Sequence, residues 1–390
     1  MDIKKKSIIY IFAAITITLL GIIISINSRK VKSADAYLNN NYKTVDFTEK
    51  GISSALKIID DSNKYDILFT GEFHAIPGNE TINLEMLKYL NKTDGVNYLI
   101  CEMQYSVISK LNKYIQNGDE VLLKDAFNSV KQRNPKFAGD DYYKFWQELY
   151  EYNKSLPKDK KIQAFGIDVD FIGDYTIKEM SGLIPSKEPS KDISDKLTEF
   201  KKIADGKITD DKEAINIFKA LNDDINSNKI SYKAFFDNNF NDFKNNIDSM
   251  INTSKYAQIQ DPNRDDLIYD NFMRIYSQNP KGKYYGQFGA DHIFREDILS
   301  NGNAFYTLAK MLEKNNSFKV LSIPIAPSNR MELITQAQKL AQNRFSIFKL
   351  NGKGSPYMKQ NEDIFTNNVF GIVNGTIVDN YQYVIYLKDK

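Results

Sequence analysis
This 390-residue chain contains two histidines, and both stand where an apolar run ends. His74 closes Thr70-Gly71-Glu72-Phe73-His74, and His292 closes Gln287-Phe288-Gly289-Ala290-Asp291-His292. Imidazole is the side chain whose ordinary pKa lies nearest neutrality, so a histidine beside a carboxylate is equipped for general base work. Glu72 precedes His74 by two residues, and Asp291 directly precedes His292. Other apolar runs also end in acids: Glu102 after Tyr98–Cys101, and Asp168 with Asp170 after Ile162–Ile167. Arg264, just ahead of the segment that leads to His292, adds a cation. Two chemistries fit this set. In one, a histidine takes a proton from water while carboxylates fix its tautomer, and the other histidine or Arg264 stabilises an oxyanion. In the other, His74, Glu102 and His292 hold a divalent metal that activates the water. Asp168, Asp170 and Asp291 are candidate substrate contacts.

The elements that must position these groups follow from hydrophobic periodicity. Strands are predicted over Asp66–Gly71, Val96–Glu102, Ile162–Ile167, Lys283–Gly289, Phe318–Ile325 and Tyr381–Leu387, with a further apolar stretch over 364–373. Helices alternate with them. One carries Ile82, Leu84, Leu87 and Leu90; one runs from about Ser106 to Gly118; others cover Asp141–Asn153, Asp265–Ser277 and Phe305–Leu312. The single tryptophan, Trp146, lies on the third of these, on a face that reads as core. Such alternation predicts an α/β fold, a mostly parallel sheet with helices on both faces. Ligands then bind outside the carboxyl ends of the strands, where the acids and histidines fall. Between about 174 and 262 the chain becomes polar and is broken by Pro185 and Pro189, which predicts a helical insertion, lid-like or peripheral.

Lys4, Lys5 and Lys6 precede an uncharged apolar run, Ile8–Ile26, long enough at ~1.5 Å per residue to span a bilayer core of ~30 Å. Residues 1–30 are therefore predicted to be an uncleaved membrane anchor, a transmembrane helix. The main domain is placed outside the cytoplasm. Residues 31–64 form a connector and a first helix, and 65–390 the α/β domain. The formal charge of +2 offers no field that would recruit nucleic acid. One cysteine, Cys101, precludes an intrachain disulfide and a cysteine zinc site. No P-loop, GxGxxG, GxSxG or HExxH pattern is present.

Taken in order, GEFH, the acid after the next strand, YIQNGDE, the W-x-E helix with Tyr152-Asn153, FGIDVD, NRDDLIYDNF and GADHI resemble the erythromycin esterase family. That family belongs to a wider group with haem-binding uptake lipoproteins and Tiki-type proteases. The likeness runs collinearly from about Asp66 to Arg295, and the closing YQYVIYL is similar to the family's last strand. The resemblance implies an α/β core with a helical lid region and ester hydrolysis without a metal. It makes His74 the base that activates water, surrounded by Glu72, Glu102 and His292, with Arg264 near the substrate. Where the family carries glycine after its first histidine this chain has Ala75, and where it carries a further histidine this chain has Gly289. The expected function is a membrane-anchored hydrolase acting on a small molecule or a peptide. The alternatives are a metal-dependent hydrolase or protease of the same group, and a haem- or metal-binding module drawing axial ligands from the two histidines and 24 tyrosines.

Overall fold
Ile67-Leu68-Phe69 is an unbroken apolar run, the pattern of a strand covered on both faces and not of one half in water. In the computed structural model, which describes residues 34–255, 264–279, 282–300, 303–342, 344–359, 364–367 and 370–388, this run lies inside an eight-stranded sheet. The strands in chain order are β1 (Tyr42–Val45), β2 (Ile67–Glu72), β3 (Tyr98–Gln104), β4 (Gln163–Asp168) and β5 (Tyr284–Gly289). They continue with β6 (Ile298–Ser300), β7 (Asn303–Phe305), β8 (Val320–Pro327), β9 (Phe345–Lys349) and β10 (Tyr383–Leu387). The sheet order is β1-β9-β10-β8-β2-β5-β3-β4, and β6 and β7 form a separate antiparallel pair. β2 pairs in parallel with β5 and β8, β5 with β3, β3 with β4, and β8 with β10. Antiparallel pairing is confined to the β10-β9-β1 side.

Neighbouring residues of one strand serve opposite faces, as the pleat requires. Leu68, Leu99 and Tyr285 join the core that packs on α1 (Glu49–Ala55), α2 (Asn79–Asp94), α3 (Tyr105–Asn117), α4 (Glu120–Arg133) and α5 (Asp140–Ser155). Ile67, Phe69, Ile100 and Tyr284 face the other side. Each fully buried side chain of this kind contributes about 1.5–3 kcal/mol. Gly118, at φ +77°, closes α3 in the left-handed conformation that favours glycine.

Among the described residues, the polar stretch after β4 folds as five α-helices: α6 (Gly173–Leu183), α7 (Lys191–Ala204), α8 (Asp211–Ser227), α9 (Lys229–Phe236) and α10 (Phe240–Thr253). They enclose a core of their own, in which Phe236 and Phe243 stack at 4.2 Å between ring centres. α11 (Arg264–Gln278) and α12 (Leu308–Asn316) then cover the second sheet face, followed by α13 (Thr335–Ala341) and the short α14 (Ile377–Asn380).

Two sequence expectations are corrected here. The connector expected over 31–64 includes a sheet strand, β1, paired with β9. β9 itself was not anticipated. The apolar stretch at 364–373 is no strand: its described residues make isolated bridges, Leu333 with Phe365 and Ile298 with Ile372. The predicted anchor, residues 1–30, lies outside the described residues, as do residues 256–263 at the end of the insertion. Among the described residues, no helix is long and apolar enough to cross a membrane.

Candidate active site
The site begins where β2 ends. A side chain on Gly71 would bring its Cβ within 2.7 Å of Ile293, so glycine there lets the 290–293 turn close on the strand. Glu72 follows at the strand terminus. Its Oε1 accepts a hydrogen bond from His74 Nδ1 at 2.8 Å, and its Oε2 accepts one from Gln287 Nε2 of the adjacent β5, also at 2.8 Å. A carboxylate partner puts the neutral imidazole's proton on Nδ1 and leaves Nε2 as the basic atom. The next residue, Ala75, is left-handed at φ +59°, a conformation that costs a non-glycine residue about 1–2 kcal/mol. The His74 side chain is 42% exposed, and Phe137 meets its ring edge-on at 5.2 Å.

A second group of charges backs this dyad. Between Cys101 and Gln104 the register of β3 against β4 slips by one residue, a bulge of the kind that re-aims side chains beside active sites. Glu102 lies within it. Its Oε2 accepts from the Gly289 backbone N–H at 2.6 Å and its Oε1 from Arg264 Nη2 at 2.9 Å. Arg264 also forks onto Asp168, donating from Nε at 3.1 Å and from Nη2 at 2.5 Å. The guanidinium lies 5.5 Å over the Phe171 ring. His292 is buried; its Nδ1 donates to Asp265 at 2.5 Å, and its Nε2 lies 3.3 Å from both Glu102 Oε1 and Arg264 Nη1. Asp265 is fully buried and also accepts the Leu308 backbone N–H at 2.6 Å.

The two imidazoles are therefore tuned differently. Burial opposes charge on His292, but Asp265 and Glu102 outweigh it and push its pKa up to about 10, so at neutral pH it is an imidazolium. For His74 desolvation again works against the charge, and the Glu72 hydrogen bond and the Glu102 carboxylate more than offset it, raising its pKa above the ordinary value. Glu102 is buried, which alone would raise its pKa; His292, Arg264 and His74 reverse this and hold it well below the usual carboxylate range. His74 Nε2 and Glu102 Oε1 stand 4.0 Å apart across the mouth of a cavity of about 390 Å³. The cavity runs along β3 towards α4 and α5, with Val130, Phe137, Phe145 and Trp146 among its walls.

No protein-family model matches the chain, and no curated protein matches it in sequence. Solved structures do match in shape. A protein from Bacillus cereus superposes with a TM-score of 0.68 at 14% identity, covering 91% of this chain and 97% of the other. An erythromycin esterase mutant in its open conformation gives 0.60 at 10% identity, over 90% of this chain and 98% of that one. The fold is that of the erythromycin esterase. A protein of succinoglycan biosynthesis has it too, with a TM-score of 0.64 at 13% identity, over 94% and 97% of the two chains.

Within this erythromycin-esterase-like fold Glu72, His74, Glu102, Asp168 and Arg264 line one cavity, and His292 stands behind Glu102 and Arg264. Two predicted residues are placed elsewhere. Asp170 accepts hydrogen bonds from Gln104 Nε2, the Ile172 N–H and the Thr176 hydroxyl, which tie down the start of the insertion. Asp291 is exposed and does not line the cavity. The loop between β4 and α6 gives Phe171 and Ile172 to the lining and no described residue of the insertion itself lines the cavity, whereas α4, α5 and the loop between them form another wall. Asp265, Gln287 and Phe137 were missed; the acidic pair after Arg264 was the one visible signal for Asp265. Trp146, read as core, is buried at 1% exposure and also borders the cavity.

The proposed metal ligands do not fit a cation site. Glu102 is already charge-matched by Arg264 and protonated His292, and the His292 ring is engaged at both nitrogens. Among the described residues no group of three or more His, Cys, Asp or Glu side chains is arranged to hold a metal ion. The same closure of His292 means that a haem held between the two histidines does not fit; His74 Nε2 is the imidazole nitrogen that faces the cavity.

Proposed function
We propose that this protein is a hydrolase that cleaves an ester with water activated by His74. The observation that carries the reading is the Glu72–His74 hydrogen bond, which leaves Nε2 basic at a cavity beside a guanidinium fixed by Glu102 and Asp168. The water oxygen bonds to the ester carbonyl carbon as its proton passes to His74 Nε2, and Glu72 stabilises the resulting imidazolium through Nδ1–H. Negative charge collects on the former carbonyl oxygen, and Arg264, with the His292 imidazolium behind it, supplies the positive potential. Collapse breaks the bond to the alkoxy oxygen, which takes the proton back from His74 and leaves as the alcohol. The other product is the carboxylic acid. Cys101 also lines the cavity, but burial raises its thiol pKa and keeps it neutral, so it is a poor nucleophile.

The test is turnover of an ester panel, from simple acyl esters to lactones, by the wild type and by His74→Ala. Loss of a positioned base costs about a hundredfold to ten-thousandfold in rate. A folded His74→Ala protein with wild-type turnover would remove His74 from the mechanism. Residues 1–30 are proposed to anchor the domain at the outer side of a cell membrane. Carbonate-washed membranes should retain the protein, and its release into the medium as a shorter form would replace the anchor with a cleaved signal.

A further inference from the structure
The cavity lies at the carboxyl ends of the parallel strands, and the opposite end of the sheet has a different chemistry. A series of contacts maps that amino end. Asn351, after β9, donates to Asp61, and Lys283 donates to the Asn63 carbonyl. The Asp66 N–H donates to the Lys319 carbonyl, and Asn97 donates to the Asp159 carbonyl. These segments lead into β2, β3, β4, β5 and β8, so they form one rim. Lys64, Lys158, Lys160, Lys161, Lys283 and Lys319 stand on it, and none of them is ion-paired among the described residues. Lys349 pairs with Asp60, and Lys353 is exposed in the turn after β9. Together these lysines outnumber the aspartates of the same segments, Asp60, Asp61, Asp66, Asp94 and Asp159, so the rim is positive.

The chain enters the domain at this same end. The Tyr37 hydroxyl accepts the Gly352 N–H at 2.8 Å, and its ring meets Tyr357 edge-on at 6.1 Å. The Lys349 N–H donates to the Asn41 carbonyl. Tyr37 and Leu38 are buried in the core under β9, so the domain is already folded at this point of the chain. Residues 27–33 are all that separates Ala34 from the apolar run Ile8–Ile26. At about 3.5 Å per residue such a stretch reaches no more than about 28 Å, which keeps the rim beside whatever holds that run.

We propose that the amino end of the sheet docks on the bilayer that carries residues 1–30, its lysines on anionic lipid headgroups, so that the cavity opens away from the membrane. Lysines next to an anionic leaflet are drawn to it within about a Debye length. The docking rests on the anchoring proposed above; the basic rim does not. β2, six residues long at about 3.3 Å each, sets Glu72 and His74 about 20 Å from the rim. Whatever the site acts on then arrives from water and not from the lipid.

The test places the full chain in vesicles whose headgroups carry a nitroxide that quenches fluorescence. A fluorophore is attached at Lys353→Cys on the rim or, in a second protein, at Lys136→Cys beside Phe137 at the cavity, both in a Cys101→Ala background. In phosphatidylglycerol vesicles the label at position 353 should be quenched several-fold more than the label at 136. In phosphatidylcholine, or in about 1 M salt where the Debye length is about 3 Å, that contrast should shrink. Replacing Lys158, Lys160 and Lys161 together by Glu should shrink it in the same way. Equal quenching of the two labels in phosphatidylglycerol would mean a domain that turns freely on its tether, and would overturn the proposal. Stronger quenching at 136 would overturn it too, with the cavity turned to the lipid. A contrast indifferent to lipid charge and salt would remove the lysines from the docking and reject it. If carbonate-washed membranes fail to retain the chain, the anchor alone is lost, and the released form is sedimented with vesicles instead. Sedimentation with phosphatidylglycerol but not phosphatidylcholine would keep the basic rim as a lipid-binding surface, and sedimentation with neither would reject it.

Discussion
The most exacting consequence of the site geometry concerns His292, whose two carboxylate neighbours hold it protonated. Its pKa in the folded chain is raised to about 10, against an ordinary value of 6.5. The folded state therefore binds a proton that the unfolded state releases between these two values. Stability from this proton is fully present below pH 6.5 and is lost as pH rises through about 10. At about 1.4 kcal/mol per pH unit, the loss between pH 7 and 9 is about 2–3 kcal/mol, with a limit near 5 kcal/mol over the whole interval. Glu80 also titrates in this range, so the quantity to read is the difference between wild type and His292→Asn, which keeps a donor for Asp265 and removes the titration. Urea unfolding at pH 7, 8 and 9 should show that difference shrinking steadily as pH rises. Because the chain has two histidines, ¹³C-labelled imidazole gives two signals, one of which disappears in His74→Ala. The remaining signal should stay protonated past pH 9. If it titrates near 6.5, or if the stability difference is the same at all three pH values, the assignment of His292 as a buried imidazolium is refuted.

Three further outcomes follow. As a base His74 must be unprotonated, so kcat/KM should rise with pH through a midpoint above 6.5; Glu72→Gln should lower that midpoint and reduce the plateau, and an unmoved midpoint would detach Glu72 from His74. Arg264→Met leaves Glu102 and Asp168 buried without their counter-charge, a loss of about 3–5 kcal/mol by chemical denaturation, and Arg264→Lys should restore only part of it because an ammonium cannot make the fork. Ala75→Gly relieves the left-handed strain of about 1–2 kcal/mol against a glycine entropy cost of about 0.5–1, so it should raise stability by about 0.5–1 kcal/mol; a lower melting temperature would show that Ala75 is held without strain.

The strands that carry the site were readable because they are buried on both faces: runs such as Ile67-Leu68-Phe69 leave helix and strand little room for confusion once glycines and acids bound them. β1 was not, because Tyr42-Lys43-Thr44-Val45 is a partly exposed edge strand whose pairing with β9 spans some three hundred residues, and nothing local announces it. The site residues were readable by type and position, since Glu72 and Asp168 end strands, His74 follows β2 by two residues and Glu102 lies two residues before the end of β3, and parallel strands bring their carboxyl ends together. Asp170 misled for a physical reason: the strand ends at Asp168, and two residues later the chain has turned into a loop that needs a buried acceptor for its own N–H groups.

What the sequence concealed was the difference between the two histidines. Each looks like an imidazole with an acid nearby, yet the neighbour that matters to His292 is not the adjacent Asp291 but Asp265, at the first turn of α11. A carboxylate bonded to one nitrogen, with the next one 4.0 Å from the other, orients a base and leaves that other nitrogen able to accept a proton. Carboxylates in contact on both sides make a cation at neutral pH. His74 has the first environment and His292 the second, so the pair divides into a group that moves a proton and a group that holds one. That division fixes the charge seen by anything in the cavity: a basic Nε2 at its mouth, and positive charge from Arg264 and His292 behind Glu102. A reaction in which a proton leaves water at one point while negative charge gathers at the other fits this arrangement.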